Sequence, residues 1–317
     1  MVAVYLEQGH VEVVRRPKPR RRPGFALIRL LCGGICNTDL ELQRGYYGFR
    51  GIPGHEFAGE VVEADNPRLV GRRVVGEINL ACGHCEWCRG GLGRHCPRRT
   101  VLGIVRHPGA FRELIDLPET NLLPVPRTVP TEQAVFTEPL AAACEILEQV
   151  KIPAGEPVAV LGDGKLGLLI AQVLQIHGAR VHQFGRHRDK LRIAEAAGVK
   201  TFVADAGVPR PEYRVTVEAT GSAEGLRRAV AMTRPRGTVV MKSTVHEEVA
   251  IDMAPVIVNE ISLVGSRCGR FQPALRLLAS GRLNVDPMIA ARFPLSDAAE
   301  AFARAAEKGV LKVLLTA

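Results

Sequence analysis

Four of the eight cysteines crowd into one short stretch, ACGHCEWCRGGLGRHC, where Cys82, Cys85, Cys88 and Cys96 follow the spacing C-x2-C-x2-C-x7-C. Glycines at 83, 90, 91 and 93 let that backbone curl around a small ion. Four thiolates complete a closed tetrahedral zinc site that holds a loop rather than reacts. Four cysteines also suit iron or an iron-sulfur cluster. A second set of ligand types surrounds the stretch: GGICNTDL supplies Cys36, GIPGHEFAGE supplies His55 and Glu56, and TEPLAAACEIL supplies Glu138. A mixed thiolate, imidazole and carboxylate set suits a zinc that keeps one position open for water or substrate. Taken singly each residue is ordinary, Cys36 as a small buried apolar side chain and a lone His or Glu as a structural or surface group.

A third pattern is GDGKLG, in which Gly162, Gly164 and Gly167 match G-x-G-x-x-G with Lys165 and Leu166 between them. Alone that pattern is weak. Here it follows the apolar run PVAVLG and opens a helical pattern, which is the context a pyrophosphate site needs: a tight turn, a bare backbone and amide groups at a helix N-terminus. An acid about twenty residues further on would hold the adenosine ribose hydroxyls. In VHQFGRHRDKL, Gly185 stands there instead, followed by Arg186, His187 and Arg188. A carboxylate would repel a 2′-phosphate whereas guanidinium groups grip it, so NADP(H) is expected over NAD(H).

These residues need a scaffold. A chain of 317 residues implies two domains, and 46% hydrophobic with 24% charged residues excludes a disordered chain. The N-terminus MVAVYLEQGHVEVV alternates like a strand and lacks the basic start and apolar core of a secretory signal. No apolar run is long enough for a membrane span. A cytoplasmic, reducing setting is therefore expected, where clustered cysteines hold metal rather than pair. The net charge of +9 is densest in RRPKPRRRPG, Arg15 to Gly24. Prolines interrupt that run and no aromatic residue interleaves with it, so it reads as a solvated loop rather than a nucleic-acid platform.

The α/β architecture follows from two grammars. To about Pro130 the chain reads as short β-runs (VAVYLEQ, FALIRLLCG, FAGEVVEA, RRVVGEI, FRELIDL) punctuated by Gly and Pro. Beyond it, strands alternate with amphipathic helices: PVAVLG, a helix at 165–177, ARVHQFG, a helix at 188–197, TFVAD, YRVTVEAT, a helix at 222–232, TVVMKST, ISLVGS and a helix near 272–279. That alternation predicts a doubly wound parallel sheet at 131–281, with residues 1–130 and 282–317 forming a β-rich domain.

The chain resembles the zinc-dependent medium-chain dehydrogenase/reductase superfamily of alcohol and polyol dehydrogenases over essentially its whole length. The resemblance is carried by C-x-T-D at Cys36 to Asp39, G-H-E at Gly54 to Glu56, the four-cysteine lobe, E-P-L at Glu138 to Leu140, the glycine turn, and E-A-T-G at Glu218 to Gly221. It implies a GroES-like catalytic domain beside a Rossmann domain and two zinc ions per chain. Cys36, His55 and Glu138 or Glu56 would bind the catalytic ion, and the four cysteines the structural one. It also implies a small alcohol or carbonyl substrate and a homodimer or homotetramer, with no nucleic acid or membrane partner. Asp39 would support the ligand His, and Thr38 would carry the alcohol proton. Many members continue that relay with a histidine five residues after the ligand Cys, where this chain has Glu41. Glu138 matches the sorbitol, threonine and sugar branch and leans toward polar secondary alcohols. Arg267 and Lys312 resemble residues near the nicotinamide and cofactor. A zinc-ribbon nucleic-acid binder would use the cysteines and the charge but leave the glycine turn and G-H-E without purpose. A cofactor-binding sensor would not need Cys36, His55, Glu138 and Thr38 intact.

Overall fold

The computed structural model describes residues 1–204, 210–243 and 249–317. Asp205 and Thr244, which end two of the expected strands, lie outside those residues. The chain divides into two compact units, one of Met1–Glu138, Phe271–Ala279 and Met288–Ala317, the other of Pro139–Arg270 and Ser280–Pro287. The division falls later than the change of grammar at Pro130 because the segment after it is tied to the first unit. The Arg73 guanidinium donates to Thr131 Oγ1 at 2.9 Å, and Arg292 forms an ion pair with Glu132 at 2.7 Å. The helix Phe271–Ala279 joins the same unit, its first N–H donating to Glu77 Oε1 at 3.0 Å.

The first unit is organised by the long strand Phe25–Ile35, which pairs antiparallel with Glu56–Glu63 on one side and with both Lys312–Thr316 and Leu114–Pro118 elsewhere along its length. Together with Arg73–Gly76, Leu122–Pro124 and Ile289–Pro294 they make a seven-stranded sheet. Ala26, Ile28, Leu30 and Ile35 are fully buried in the central strand, the first three at the spacing of two that puts side chains on one face. The cysteine lobe leaves this unit as an excursion closed at its base, where Asn79–Leu80 pairs antiparallel with Thr100–Leu102.

The second unit holds a six-stranded parallel sheet. Its spatial order is Lys200–Val203, Arg180–Gly185, Pro157–Leu161, Tyr213–Glu218, Thr233–Met241, Ser262–Gly265, which is 3-2-1-4-5-6 in chain order. Val158, Ala159 and Val160 are all buried, the continuous apolar run of a strand covered on both faces. The helix at Lys165–His177 is the one expected, and Gly178 ends it at φ +104°, a left-handed cap that favours glycine. Ser222 caps Ala223–Met232 by accepting the Gly225 N–H at 3.1 Å. Among the described residues four short helices were not expected from periodicity: Asn37–Gln43, Glu86–Arg89, Thr131–Ala134 and Ala254–Val258, each too brief to show a repeat. Among the described residues no helix is long and apolar enough to cross a membrane.

Candidate metal and cofactor sites

Strand register brings the mixed ligand set together. Gly34 lies opposite Glu56 in one neighbouring strand and opposite Leu314 in the other. Cys36 follows at the end of the central strand, and His55 precedes Glu56 at the start of the next. One ligand atom from each of Cys36, His55 and Glu56 lies within 4.8 Å of the other two. Glu138, buried near the start of the helix Thr137–Gln149, stands outside that group. Gly54 makes the approach feasible: its φ is +99°, and a Cβ there would meet the Phe111 ring at 2.5 Å.

Asp39 ties the two ligand segments. It is fully buried, its Oδ2 accepts the Cys36 N–H at 2.8 Å, and its Oδ1 accepts the Gly54 N–H at 3.1 Å. The same Oδ1 lies 3.4 Å from His55 Nδ1, which leaves Nε2 as the coordinating atom. Burial alone would push the His55 imidazole down, but the Asp39 carboxylate and Cys36 outweigh it and hold the ring well above its ordinary value. A thiol, an imidazole and a carboxylate converging around a buried, oriented histidine is a donor set that fits zinc. Thr38 Oγ1 lies 3.8 Å from Cys36 Sγ. Glu41, on the same helix, forms an ion pair with Arg44 at 2.6 Å.

Lys312 is placed unexpectedly. Its amine is buried and ion-paired with the Glu56 carboxylate, and lies 3.4 Å from the Ile35 carbonyl. The pair meets over Gly34, where a Cβ would lie 2.9 Å from Glu56 Oε2 and 3.1 Å from Lys312 Cδ.

In the lobe, the thiols of Cys82, Cys85, Cys88 and Cys96 lie within 4.8 Å of one another, with Sγ separations of 3.9 Å for 82–88, 3.4 Å for 85–88 and 3.7 Å for 85–96. A tetrahedron with Zn–S bonds of about 2.3 Å has edges of about 3.8 Å, so the cage matches zinc in size. Disulfide bonds are absent from it. The backbone at His84 pulls the Cys82 thiol down to about 5, while burial and Cys85 push Cys88 up to about 11.

In the second unit Gly162, Gly164, Lys165, Leu166 and Gly167 lie at the C-terminal end of the first strand and the start of its helix. Gly162 has φ +116°, and a Cβ on Gly164 would meet no described atom within 4 Å, so the turn offers bare backbone at the switch point of the sheet. That cradle fits a dinucleotide pyrophosphate. Gly185, Arg186, His187 and Arg188 lie at the end of the second strand, with both arginines exposed. Arg267 follows the last strand and is exposed, its carbonyl accepting a bond from the buried Lys242 amine at 2.9 Å. Asp163 was missed by sequence reasoning. Its carboxylate reaches from the glycine turn to the Arg186–His187 backbone. The only sequence signal was an acid inside a phosphate-binding turn.

Two clusters of metal-ligand side chains in a GroES-like unit, in a chain that also carries a Rossmann unit, fit a zinc- and nicotinamide-dependent oxidoreductase. Comparison with known proteins agrees. Residues 22–127 match the alcohol dehydrogenase GroES-like domain and residues 166–280 the zinc-binding dehydrogenase family. A sorbitol dehydrogenase of Halalkalibacterium halodurans is 28% identical, covering 97% of this chain and 96% of its own. An L-threonine 3-dehydrogenase of Streptomyces avermitilis is 33% identical, with 94% of each chain covered. The solved structure of a putative zinc-binding dehydrogenase from Sinorhizobium meliloti 1021 bound to NADP has a TM-score of 0.90 at 29% identity, covering 100% of this chain and 99% of that one. The chain belongs to the zinc-dependent medium-chain dehydrogenase/reductase superfamily, enzymes that pass a hydride between a small alcohol or its carbonyl and a nicotinamide cofactor.

Proposed function

We propose that this enzyme oxidises polyols or other polar secondary alcohols with NADP, or reduces the matching ketones with NADPH, using one zinc for catalysis and a second to hold the cysteine lobe. The observation that carries this reading is the convergence of Cys36, His55 and Glu56 within 4.8 Å in a chain of this family. Relatives named for sorbitol and threonine support the substrate class. The cations at 186–188 and the NADP-bound relative support the cofactor.

Cys36, His55 and one carboxylate, Glu56 or Glu138, are the residues to hold the catalytic ion, which when bound supplies a Lewis acid that makes an alcohol more acidic or polarises a carbonyl. Asp39 fixes the tautomer of His55 and the spacing of both ligand segments. Thr38 takes the alcohol proton onward. The relay then ends in a carboxylate, for which Glu41, partly exposed and paired with Arg44, is the candidate, or in water. Gly162 to Gly167 hold the pyrophosphate, and Arg186 and Arg188 the 2′-phosphate.

An assembly of two or four copies is supported by the outer edge of Ser262–Gly265, the last strand of its sheet, and by the exposed Ile257 and Val258 just before it. A cytoplasmic setting is supported by eight cysteines without a disulfide. The test is a dehydrogenase screen over polyols, aldoses and hydroxy amino acids with both cofactors. Polyol-dependent turnover favouring NADP by tenfold or more, on the order of one charge-assisted contact, supports the reading. Comparable turnover with NAD, or none with any alcohol, refutes it.

A further inference from the structure

The first turn of the parallel sheet carries a carboxylate that the pyrophosphate site does not need. Asp163 lies between Gly162 and Gly164 and is 8% exposed. Three donors converge on its Oδ2: the Arg186 N–H at 2.6 Å, the His187 N–H at 2.6 Å and His187 Nδ1 at 3.0 Å. The two backbone donors belong to the turn that precedes the helix Arg188–Ala196, and the ring bond sets the His187 tautomer with Nδ1 protonated. Burial works against the charge, but these contacts with His187 and Arg186 outweigh it and keep the carboxyl below its ordinary range.

The adjoining Gly185 has no side chain for a steric reason. A Cβ there would lie 2.5 Å from Asp163 Cβ and 2.7 Å from its Oδ2. A carboxylate can occupy this corner from position 163 or from position 185, but not from both. Placed at 185, at the tip of the second strand, it would point at the ribose hydroxyls and exclude a 2′-phosphate. Placed at 163, its charge is absorbed by the turn itself, while Arg186 and Arg188 face solvent. The acid beneath this turn accepts both of its backbone N–H groups and so fixes the backbone from which the two arginines project.

We propose that Asp163 is a positioning residue for the 2′-phosphate of NADP(H), holding the 186–188 turn so that its guanidinium groups are presented to the phosphate. The proposal rests on the NADP reading above and adds the residue that enforces it. It also implies that an acid introduced at Gly185 alone does not convert the cofactor preference, because Asp163 already fills the space.

The test is calorimetric binding of adenosine 2′,5′-bisphosphate and of 5′-AMP to the whole chain, in the wild type and in Asp163→Ala and Asp163→Asn. The wild type should bind the bisphosphate at least about tenfold more tightly than AMP. Asp163→Ala should lose about tenfold for the bisphosphate and less than about twofold for AMP. Asp163→Asn keeps an oxygen to accept the two backbone N–H groups and should stay near the wild type. Equal losses for both ligands in Asp163→Ala would reduce Asp163 to a structural part and overturn the proposal. Tighter bisphosphate binding in that variant would show a repelling carboxylate and overturn it too. A wild type without preference for the bisphosphate defeats the NADP reading itself, and the proposal with it. Selectivity in the wild type that survives Asp163→Ala defeats the proposal alone.

Discussion

Lys312 and Glu56 form an ion pair whose side chains are 2% and 1% exposed, directly beside the thiol, imidazole and carboxylate cluster. Burial alone would strip the lysine of its proton, yet Glu56 and Cys36 together hold its amine above the ordinary lysine value. Removing one partner leaves the other charge stranded without solvent. Lys312→Met is expected to cost about 3–5 kcal/mol in urea unfolding, and Lys312→Met/Glu56→Gln distinctly less than the two single changes added together. Additive losses would show that the pair does not couple.

Gly34 belongs to the same arrangement. Its replacement by Ala would put a Cβ 2.7 Å from Val135 and 2.9 Å from Glu56, in a packed region with fully buried Ile35 on one side. Gly34→Ala is expected to destabilise the protein by about 1–3 kcal/mol, read from the denaturation midpoint at unchanged slope.

How much of this was legible in the sequence depended on whether the chemistry was local. The glycine turn and the four-cysteine lobe were readable because each is contiguous, and the helix Lys165–His177 because it is long enough to show its period. The Lys312–Glu56 pair was not, since its members lie 256 residues apart and meet only through the strand register over Gly34. The resemblance that puts Lys312 near the cofactor says nothing of register. Two glutamates in recognisable motifs competed for one role, and the register favours Glu56 in the cluster without Glu138. Asp163 was invisible because G-x-G places no demand on the middle residue. Its meaning comes from the second strand, parallel to the first, ending beside it.

Asp39 links both ligand segments through two backbone donors and the His55 ring. Asp39→Ala is expected to weaken zinc retention by about 10–100-fold, measured by competition with a chelator, while the cysteine lobe keeps its ion. Unchanged retention would remove Asp39 from the site. In the same assay Glu56→Gln and Glu138→Gln tell which carboxylate reaches the metal.

Acid sensitivity of the first unit is expected to centre on Asp116, whose carboxylate takes Arg112 at 2.9 Å and Arg22 at 3.1 Å. Burial opposes both charges. For Arg112 it wins and lowers the guanidinium, which nonetheless stays charged because it begins so high. For Asp116, Arg112, His107 and Arg22 outweigh burial and depress the carboxyl. A depressed acid stabilises the fold at pH values above its unfolded value of about 3.9, and that contribution fades as pH falls through the lower folded value. Asp116→Asn should therefore cost about 2–4 kcal/mol at neutral pH and lose less than the wild type on acidification below about pH 4. Parallel acid profiles for the two proteins would contradict this.

The cysteine lobe is expected to behave as a clamp. Cys85→Ser should lower the zinc count from two per chain to one and reduce the melting temperature. An unchanged count would show that the thiol cage does not hold the ion.

The most direct measurement combines metal analysis with polyol-dependent NADPH formation in the wild type and in Cys36→Ser. Two zinc ions per wild-type chain are expected, and one in the variant, with turnover reduced by about a thousandfold or more as Lewis-acid stabilisation is lost. A Cys36→Ser protein that keeps the wild-type rate with only the lobe's zinc in place would contradict it.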